Sequence, residues 1–414
     1  MKRNPLPTVF LTIFVDMLGY GILIPVVPQL LANPHSPYYL LSPGATVASG
    51  YVMLGLLTAT FPLMQFFSTP IIGQLSDRYG RKKLLSLALA GTSFGYVLFA
   101  VGVITKCIPL LFLGRAIDGA CGGSVATAQA AVADVTTPDK RAKNFGLIGA
   151  AFGLGFIFGP YIGGKLSDPG VVHWFTAATP FWFAAVLALM NFLSVLFFFP
   201  ETLRNAKQGL ALRWHESLTN IAKAWRMHDV RTLFLTSFLF NGGFSFFVAF
   251  FSVFLITHFQ FTQGNIGDYF AYVGLWIAVS QAIVVRVLNA RFHERQILSV
   301  SIFGTGCAIA LYFIPMPWQG LLFVAPFLAV WNGLTQANMT GLISRSVDAT
   351  IQGEVLGINS SVQALAQSIP PIISGFAAAR FASETPIHLS ATVLFVAAAV
   401  FVGLYRPKRM VGSG

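Results

Sequence analysis

Charge is scarce in this 414-residue chain: Asp, Glu, Lys and Arg make up only 10% of it, and just 14 residues are acidic. A chain so poor in charge and 55% hydrophobic, with 40 Phe and a mean hydropathy of +0.72, cannot cover a water-soluble surface. Cysteine is nearly missing as well. Cys107, Cys121 and Cys307 sit singly in apolar stretches, which excludes a disulfide framework and a cysteine-built metal site. The chain has no G-x-x-x-x-G-K-[ST] phosphate loop and no paired metal ligands on an apolar segment. No enzyme, no cofactor and no ATP-driven machine is therefore expected.

Apolar sequence is what the chain has in abundance. Runs of about 20 residues, the length that crosses a bilayer's hydrocarbon core, recur from end to end. The expected class is an all-α membrane protein with twelve transmembrane helices, near residues 8–31, 46–73, 84–104, 108–133, 144–167, 177–199, 232–257, 264–288, 296–315, 319–341, 354–379 and 386–405. The start, Met-Lys-Arg before an apolar run, looks like a signal peptide, but Asp16 interrupts the run and no small-residue cleavage site follows, so it reads as the first span.

The net charge of +12 does not form the stripe that nucleic acid requires, and no nucleic-acid partner is expected. All but four of the 26 Lys and Arg fall in loops on one side of the twelve-span layout, so both termini are expected in the cytoplasm and the chain in a cell's inner membrane.

Residues 201–231 form the only long hydrophilic stretch, and they would divide a six-helix bundle over 1–200 from another over 232–414. Within it, WHESLTNIAKAWRM alternates apolar and basic residues in a roughly helical pattern, which fits both a solvated linker and a helix lying on the membrane. The two halves echo each other. GQLSDRYGRKKLL (73–85) aligns on RVLNARFHERQIL (286–298), the segment 146–164 falls on 357–375, and Asp118, Gly119 and Asp134 fall on Asn332, Gly333 and Asp348, at nearly equal offsets of 213, 211 and 214. Parallel six-plus-six repeats around a midplane site build many secondary transporters.

Three ionisable residues lie within spans, where a charge costs roughly 2.5 to 3.5 kcal/mol even on the lenient insertion scale. Asp16 lies about 12 Å in from the start of its helix, shares a face with Tyr20 and has no local counter-charge. Arg115 and Asp118, at i,i+3, can neutralise each other or belong to a working site. Asp16, Asp118 and Arg115 are the candidates for proton coupling.

The loop GQLSDRYGRKK (73–83) concentrates four basic residues and one carboxylate. Anchoring at an anionic leaflet explains Arg78, Lys82 and Lys83, and a tight turn explains Gly80, but neither explains Asp77. Together with Gly73 and Arg81, Asp77 can form a latch at this end of the bundle. The loop resembles the signature G-x-L-x-D-R-x-G-R-[KR] of the major facilitator superfamily. FVDMLGYGILIPVVPQL (14–30), LFLGRAIDGACGG (111–123) and FGLGFIFGPYIGG (152–164) are similar to the first, fourth and fifth helices of its drug:proton antiporter branch, with tetracycline-efflux-type carriers the nearest likeness.

That resemblance implies proton-coupled export of a small amphipathic or drug-like molecule by alternating access. It also implies a charge relay of Asp77, Arg81 and Asp134 closing near Glu354, and an antiporter motif at Gly155, Gly159, Pro160, Gly163 and Gly164. Gly95 stands where the tetracycline carriers place an aspartate, which argues against tetracycline itself. Tyr20, Gln129, Asn241, Trp276, Gln281, Asn332 and Gln336 are the candidate substrate-cavity residues, each equally able to act as helix-helix glue. A lipid or glycolipid flippase, or an uncoupled carrier, on the same fold is the alternative. The expected partners are the small-molecule substrate, protons and membrane lipids, with the chain acting as a monomer.

Overall fold

The computed structural model describes residues 5–42, 44–136, 141–203, 215–227, 230–347 and 352–406, and the described residues are helical, with no strand among them. The helices run α1 (Leu6–Leu31), α2 (Val47–Tyr79), α3 (Arg81–Ile104), α4 (Ile108–Cys121), α5 (Ser124–Val135), α6 (Arg141–Leu166), α7 (Thr179–Phe198), α8 (Glu216–Arg226), α9 (Arg231–Phe259), α10 (Gln263–Val279), α11 (Val285–Asn289), α12 (Glu294–Ala310), α13 (Leu321–Arg345), α14 (Gln352–Arg380) and α15 (Thr385–Leu404). A π turn, Ser280–Val284, joins α10 to α11.

Local chemistry sets the boundaries. Thr46 caps α2 by accepting from the Ser49 amide, Thr262 and Asn265 form a capping box at α10, and Gln260 ends α9 in the left-handed conformation. Gly80, at φ +100°, turns the chain from α2 into α3.

Among the described residues, ten helical segments are long and apolar enough to cross a bilayer. Two expected spans fall outside that set. The run over 108–133 breaks at Gly122 and Gly123 into helices of 14 and 12 residues, and α14 carries Asn359, Ser360, Ser361, Gln363, Gln367 and Ser368 along its length. Of the expected linker, α8 is described, whereas 204–214 and 228–229 lie outside the described residues, as do Asp348 and the side chain of Glu354.

Buried apolar side chains gather in three clusters. One draws on α8 through α15 and is rich in rings: Phe251 lies 4.3 Å from Phe247 and 4.8 Å from Tyr312 between ring centres. The other two belong to the helices before α8, and one of them takes in Ala249, Phe250 and Val253 of α9 and Ala378 of α14. The two halves of the chain therefore share a dry seam. At the end away from the 73–83 loop the seam is tight. Gln29 donates to the Phe261 carbonyl at 3.1 Å, Lys165 pairs with Asp268 at 2.9 Å, and Gly55 abuts Gly375. Toward the loop end, a Cβ on Gly73, Gly149, Gly153, Gly341 or Gly357 would meet no atom within 4 Å. The seam is closely packed at the far end, and these glycines toward the loop end have open space beside them.

Candidate functional site

The break between α4 and α5 sets the site. It frees Ser124 to donate to Asp16 Oδ2 at 2.5 Å, which ties α1 to the start of α5. The other carboxylate oxygen of Asp16 is buried and meets no donor among the described residues. Two turns back along α4, Arg115 donates to Asp118 Oδ2 at 2.9 Å; the two residues are 3% and 5% exposed. The Arg115 guanidinium also lies 4.5 Å from the centre of the Phe61 ring, and its Nε has no acceptor among the described residues. The ring of Tyr20 is 6.0 Å from the same Phe61.

Two cavities meet at this cluster. The smaller carries the polar groups of Asp16, Asp118, Gln65, Thr92, Tyr96 and Ser124 among Met17, Phe61 and Val125 in its lining. The larger is walled by apolar residues of α1 and α2 and by Val248, Ala249 and Ser252 of α9, with Arg115 as its one charged group. Tyr20 lines both. Arg115 thus faces the apolar cavity while its partner Asp118 faces the polar one. An acid with a spare oxygen stands beside a second, largely apolar cavity, separated from it by an aromatic wall and a neutralised ion pair.

Gly95 shows why no acid can occupy its place on α3. A Cβ there would stand 2.8 Å from the Gly114 carbonyl and 3.3 Å from the Asp118 Cβ, so α3 and α4 touch backbone to backbone beside the ion pair. Gly91 to Gly95 also spells G-x-S-x-G, but inside α3, with Ser93 donating to the Ala185 carbonyl at 2.9 Å; the strand-to-helix turn of a nucleophile elbow is absent.

The glycines of α6 let it press against α1 behind the acid. A Cβ on Gly155 would stand 2.8 Å from the Phe14 carbonyl, on Gly159 2.6 Å from that of Leu18, and on Gly163 2.6 Å from that of Ile22. Gly164 turns the other way, against Gln263 and Gly267 of α10, and Pro160 touches both helices, its ring beside Gly21 of α1 and its carbonyl beside Gly267. The motif is a wedge seated on both halves.

At the loop end Arg81 gathers the charges. It pairs with Asp77 at 2.5 Å and with Asp134 at 3.1 Å, and donates to Ser76 Oγ at 2.6 Å. Arg78 is exposed and lies 5.2 Å over the ring of Tyr79. Sequence reasoning missed Glu201. Its carboxylate accepts from the backbone amides of Arg81 at 2.9 Å and Lys82 at 3.2 Å, the free N–H groups that open α3, and it occupies the place a Gly80 side chain would fill. Thr202 then donates to Asp134 at 3.2 Å. The only sequence signal was an acid at the exit of an apolar run, followed by a hydroxyl residue.

Of the expected cavity residues, Tyr20 alone lines either cavity. Asn241 accepts from Gln336 at 3.2 Å and donates to the Ser237 carbonyl, while Ser237 donates to Asn359, so these groups stitch α9, α13 and α14 together. Gln281 donates to the Gly333 carbonyl across the π turn at 3.4 Å. Gln129 is half-buried on α5. The Trp276 indole N–H and Asn332 Oδ1 are buried without partners among the described residues. No sequence signal distinguishes Val248, Ala249 and Ser252, which do line the larger cavity, from their packed neighbours on α9.

The profile described as Major Facilitator Superfamily matches residues 9–371 and, in a second match, 233–413. The chain belongs to the major facilitator superfamily. The second match falls on the later half, where the internal echo lies. This superfamily member is 30% identical over 374 residues to the tetracycline resistance protein, class C, of Escherichia coli, covering 90% of this chain and 89% of that protein. It is 28% identical over 388 residues to multidrug resistance protein 2 of Bacillus subtilis, covering 91% and 90%. Its fold matches that of a D-xylose-proton symporter with a TM-score of 0.75 at 14% identity, over 98% of both chains. The chain is a multi-pass membrane transporter homologous to efflux proteins, not an enzyme.

Proposed function

We propose that this transporter exports a small amphipathic or drug-like molecule in exchange for protons, by alternating access across a cell's inner membrane, with two six-helix halves (1–200 and 232–414) rocking about the linker 201–231. Both termini and the 73–83 loop are assigned to the cytoplasm, so the closely packed far end faces outward and the loop end inward. Asp16 carries the proton. The observation behind this reading is its position: buried, with one oxygen held by Ser124 and the other without a partner among the described residues, in a small cavity that shares Tyr20 with a larger, largely apolar one.

Arg115 and Asp118 set the field around that acid and anchor the wall between the cavities. The kinship with tetracycline and multidrug resistance proteins supports a drug-like substrate, and the absence of room for an acid at Gly95 argues against tetracycline itself. Asp77, Arg81, Asp134 and Glu201 hold the cytoplasmic ends of α2, α3 and the chain after α7 as one body, so that they move together.

Asp16→Asn is the test. In inside-out vesicles with an imposed proton gradient, the variant should bind substrate with weaker pH dependence and lose gradient-driven uptake by tenfold or more, about 1.4 kcal/mol in barrier. Uptake against the gradient at the native rate would place coupling elsewhere.

A further inference from the structure

Helix α8 has two faces with different tasks. On one, Ser217 Oγ donates to the Phe66 carbonyl of α2 and Asn220 Nδ2 donates to Ser361 Oγ of α14 at 3.2 Å, while Ala224, 5% exposed, enters the core with Ile221 and Met227. A short linker helix thus ties both halves. On the other face Leu218, Ala222 and Trp225, spaced i, i+4 and i+7, form an exposed stripe in which Leu218 is 58% and Trp225 69% exposed. The exposed Arg226 borders it, and Lys223, further round the helix, pairs with Glu216 at 3.8 Å.

Depth decides what this stripe meets. Phe66 lies thirteen residues before the end of α2 and Ser361 nine residues after the start of α14, about 20 Å and 14 Å along their helices. The helix is therefore docked on the flanks of α2 and α14, below their tips. Phe67, beside the anchoring carbonyl, is itself an apolar side chain 43% exposed on that flank. An apolar stripe with a Trp, with a cation at its edge and carried on the flank of a long apolar helix, matches the interfacial layer of a bilayer.

We infer that α8 is an interfacial anchor: Leu218, Ala222 and Trp225 sink into the cytoplasmic leaflet while Lys223 and Arg226 meet anionic phospholipid headgroups. The linker then holds the α2–α14 side of the seam against lipid while the halves move. The cations make the contact stronger on an anionic leaflet, because each adds about 1 kcal/mol near such a surface.

The test uses the full chain in nanodiscs, with the Trp225 signal taken as the difference in emission between the native chain and Trp225→Phe. Lipids brominated high on the acyl chain should quench that signal by about half or more, and aqueous iodide should quench it little. Replacing a phosphatidylglycerol mixture by pure phosphatidylcholine should weaken the bromolipid quenching, and Lys223→Gln/Arg226→Gln should erase that lipid dependence. Quenching by iodide without bromolipid quenching would show an aqueous face and overturn the anchor. Quenching by neither would show a face covered by protein and overturn it as well. Equal bromolipid quenching in both lipid mixtures would overturn the anionic headgroup contact.

Discussion

Asp118 on α4 and Asn332 on α13 occupy matching positions in the repeated halves, yet one sits in a charged cluster and the other does not. Asp118 gives an oxygen to Arg115. At the same offset the Arg115 position becomes Ala329, and Asn332 Oδ1 has no donor among the described residues. The later half spends its polar groups on stitching, through Ser237, Asn241, Gln336 and Asn359, and fills its interior with rings. Its contribution to the larger cavity is a neutral wall. On the proposed reading the halves divide their labour: the first holds the buried ion pair and Asp16, and the second lines the larger cavity with neutral groups.

That contrast can be broken at its matching positions. Asp118→Asn leaves the Arg115 guanidinium buried without a carboxylate, and removing one partner of such a pair costs about 3–5 kcal/mol. Asn332→Ala should cost at most about 1 kcal/mol. In thermal unfolding of detergent-solubilised protein, the first should lower the midpoint and yield sharply, and the second barely. Arg115→Gln/Asp118→Asn should recover much of the loss, because it removes both charges together. Equal midpoints for the two single variants would mean that the pair carries no structural weight.

Most of the fold was legible because bilayer physics writes it in long apolar runs, and these matched the helices wherever a run was uninterrupted. It failed at α4 and α5, where Gly122 and Gly123 break a run that hydropathy reads as continuous, and that break is what brings Ser124 to Asp16. The charged residues of the site were legible for a related reason: Asp16, Arg115 and Asp118 are costly where they stand, so their presence needs a cause. The neutral groups were not. Asn241 and Gln336 look the same in sequence whether they face a cavity or each other, and Ser252 carries no mark of facing a cavity. Glu201 was hidden because its task, capping α3 some 120 residues away, depends on a fold rather than a spacing.

Close approach gives a second comparison, whose two arms differ in sign. Gly95→Ala drives a methyl against the Gly114 carbonyl and should cost about 1–3 kcal/mol. Gly341→Ala on α13 meets open space inside a helix and should stabilise by about 0.5–1 kcal/mol. Midpoints that move the same way would show that α3 and α4 are not packed at Gly95. At the loop end, Asp77→Asn removes a carboxylate from Arg81 and should lower transport several-fold with little change in substrate affinity, because it shifts the balance of conformations rather than the cavity. Lys83→Gln, on an exposed side chain over Tyr79, should leave transport near normal.

The smallest effect belongs to the far-end tie between the halves. Lys165 and Asp268 meet at 2.9 Å, but their side chains are 32% and 50% exposed, so water and salt screen them and the pair is worth less than about 1 kcal/mol. If opening this end requires the two to part, that sum still sets a measurable bias, at most about fivefold in the population of the open state. A cysteine at Gln263, where the Gly164 backbone packs closely, reports opening through its alkylation by a membrane-impermeant maleimide. Lys165→Ala should raise that rate by less than about fivefold, with the gain shrinking at high salt, and Lys165→Asp/Asp268→Lys should bring it back toward the native rate. If the swapped pair alkylates as fast as the single variant, attraction between the two charges contributes nothing to closure, and the glycine seam of α6 against α10 holds the far end by packing alone.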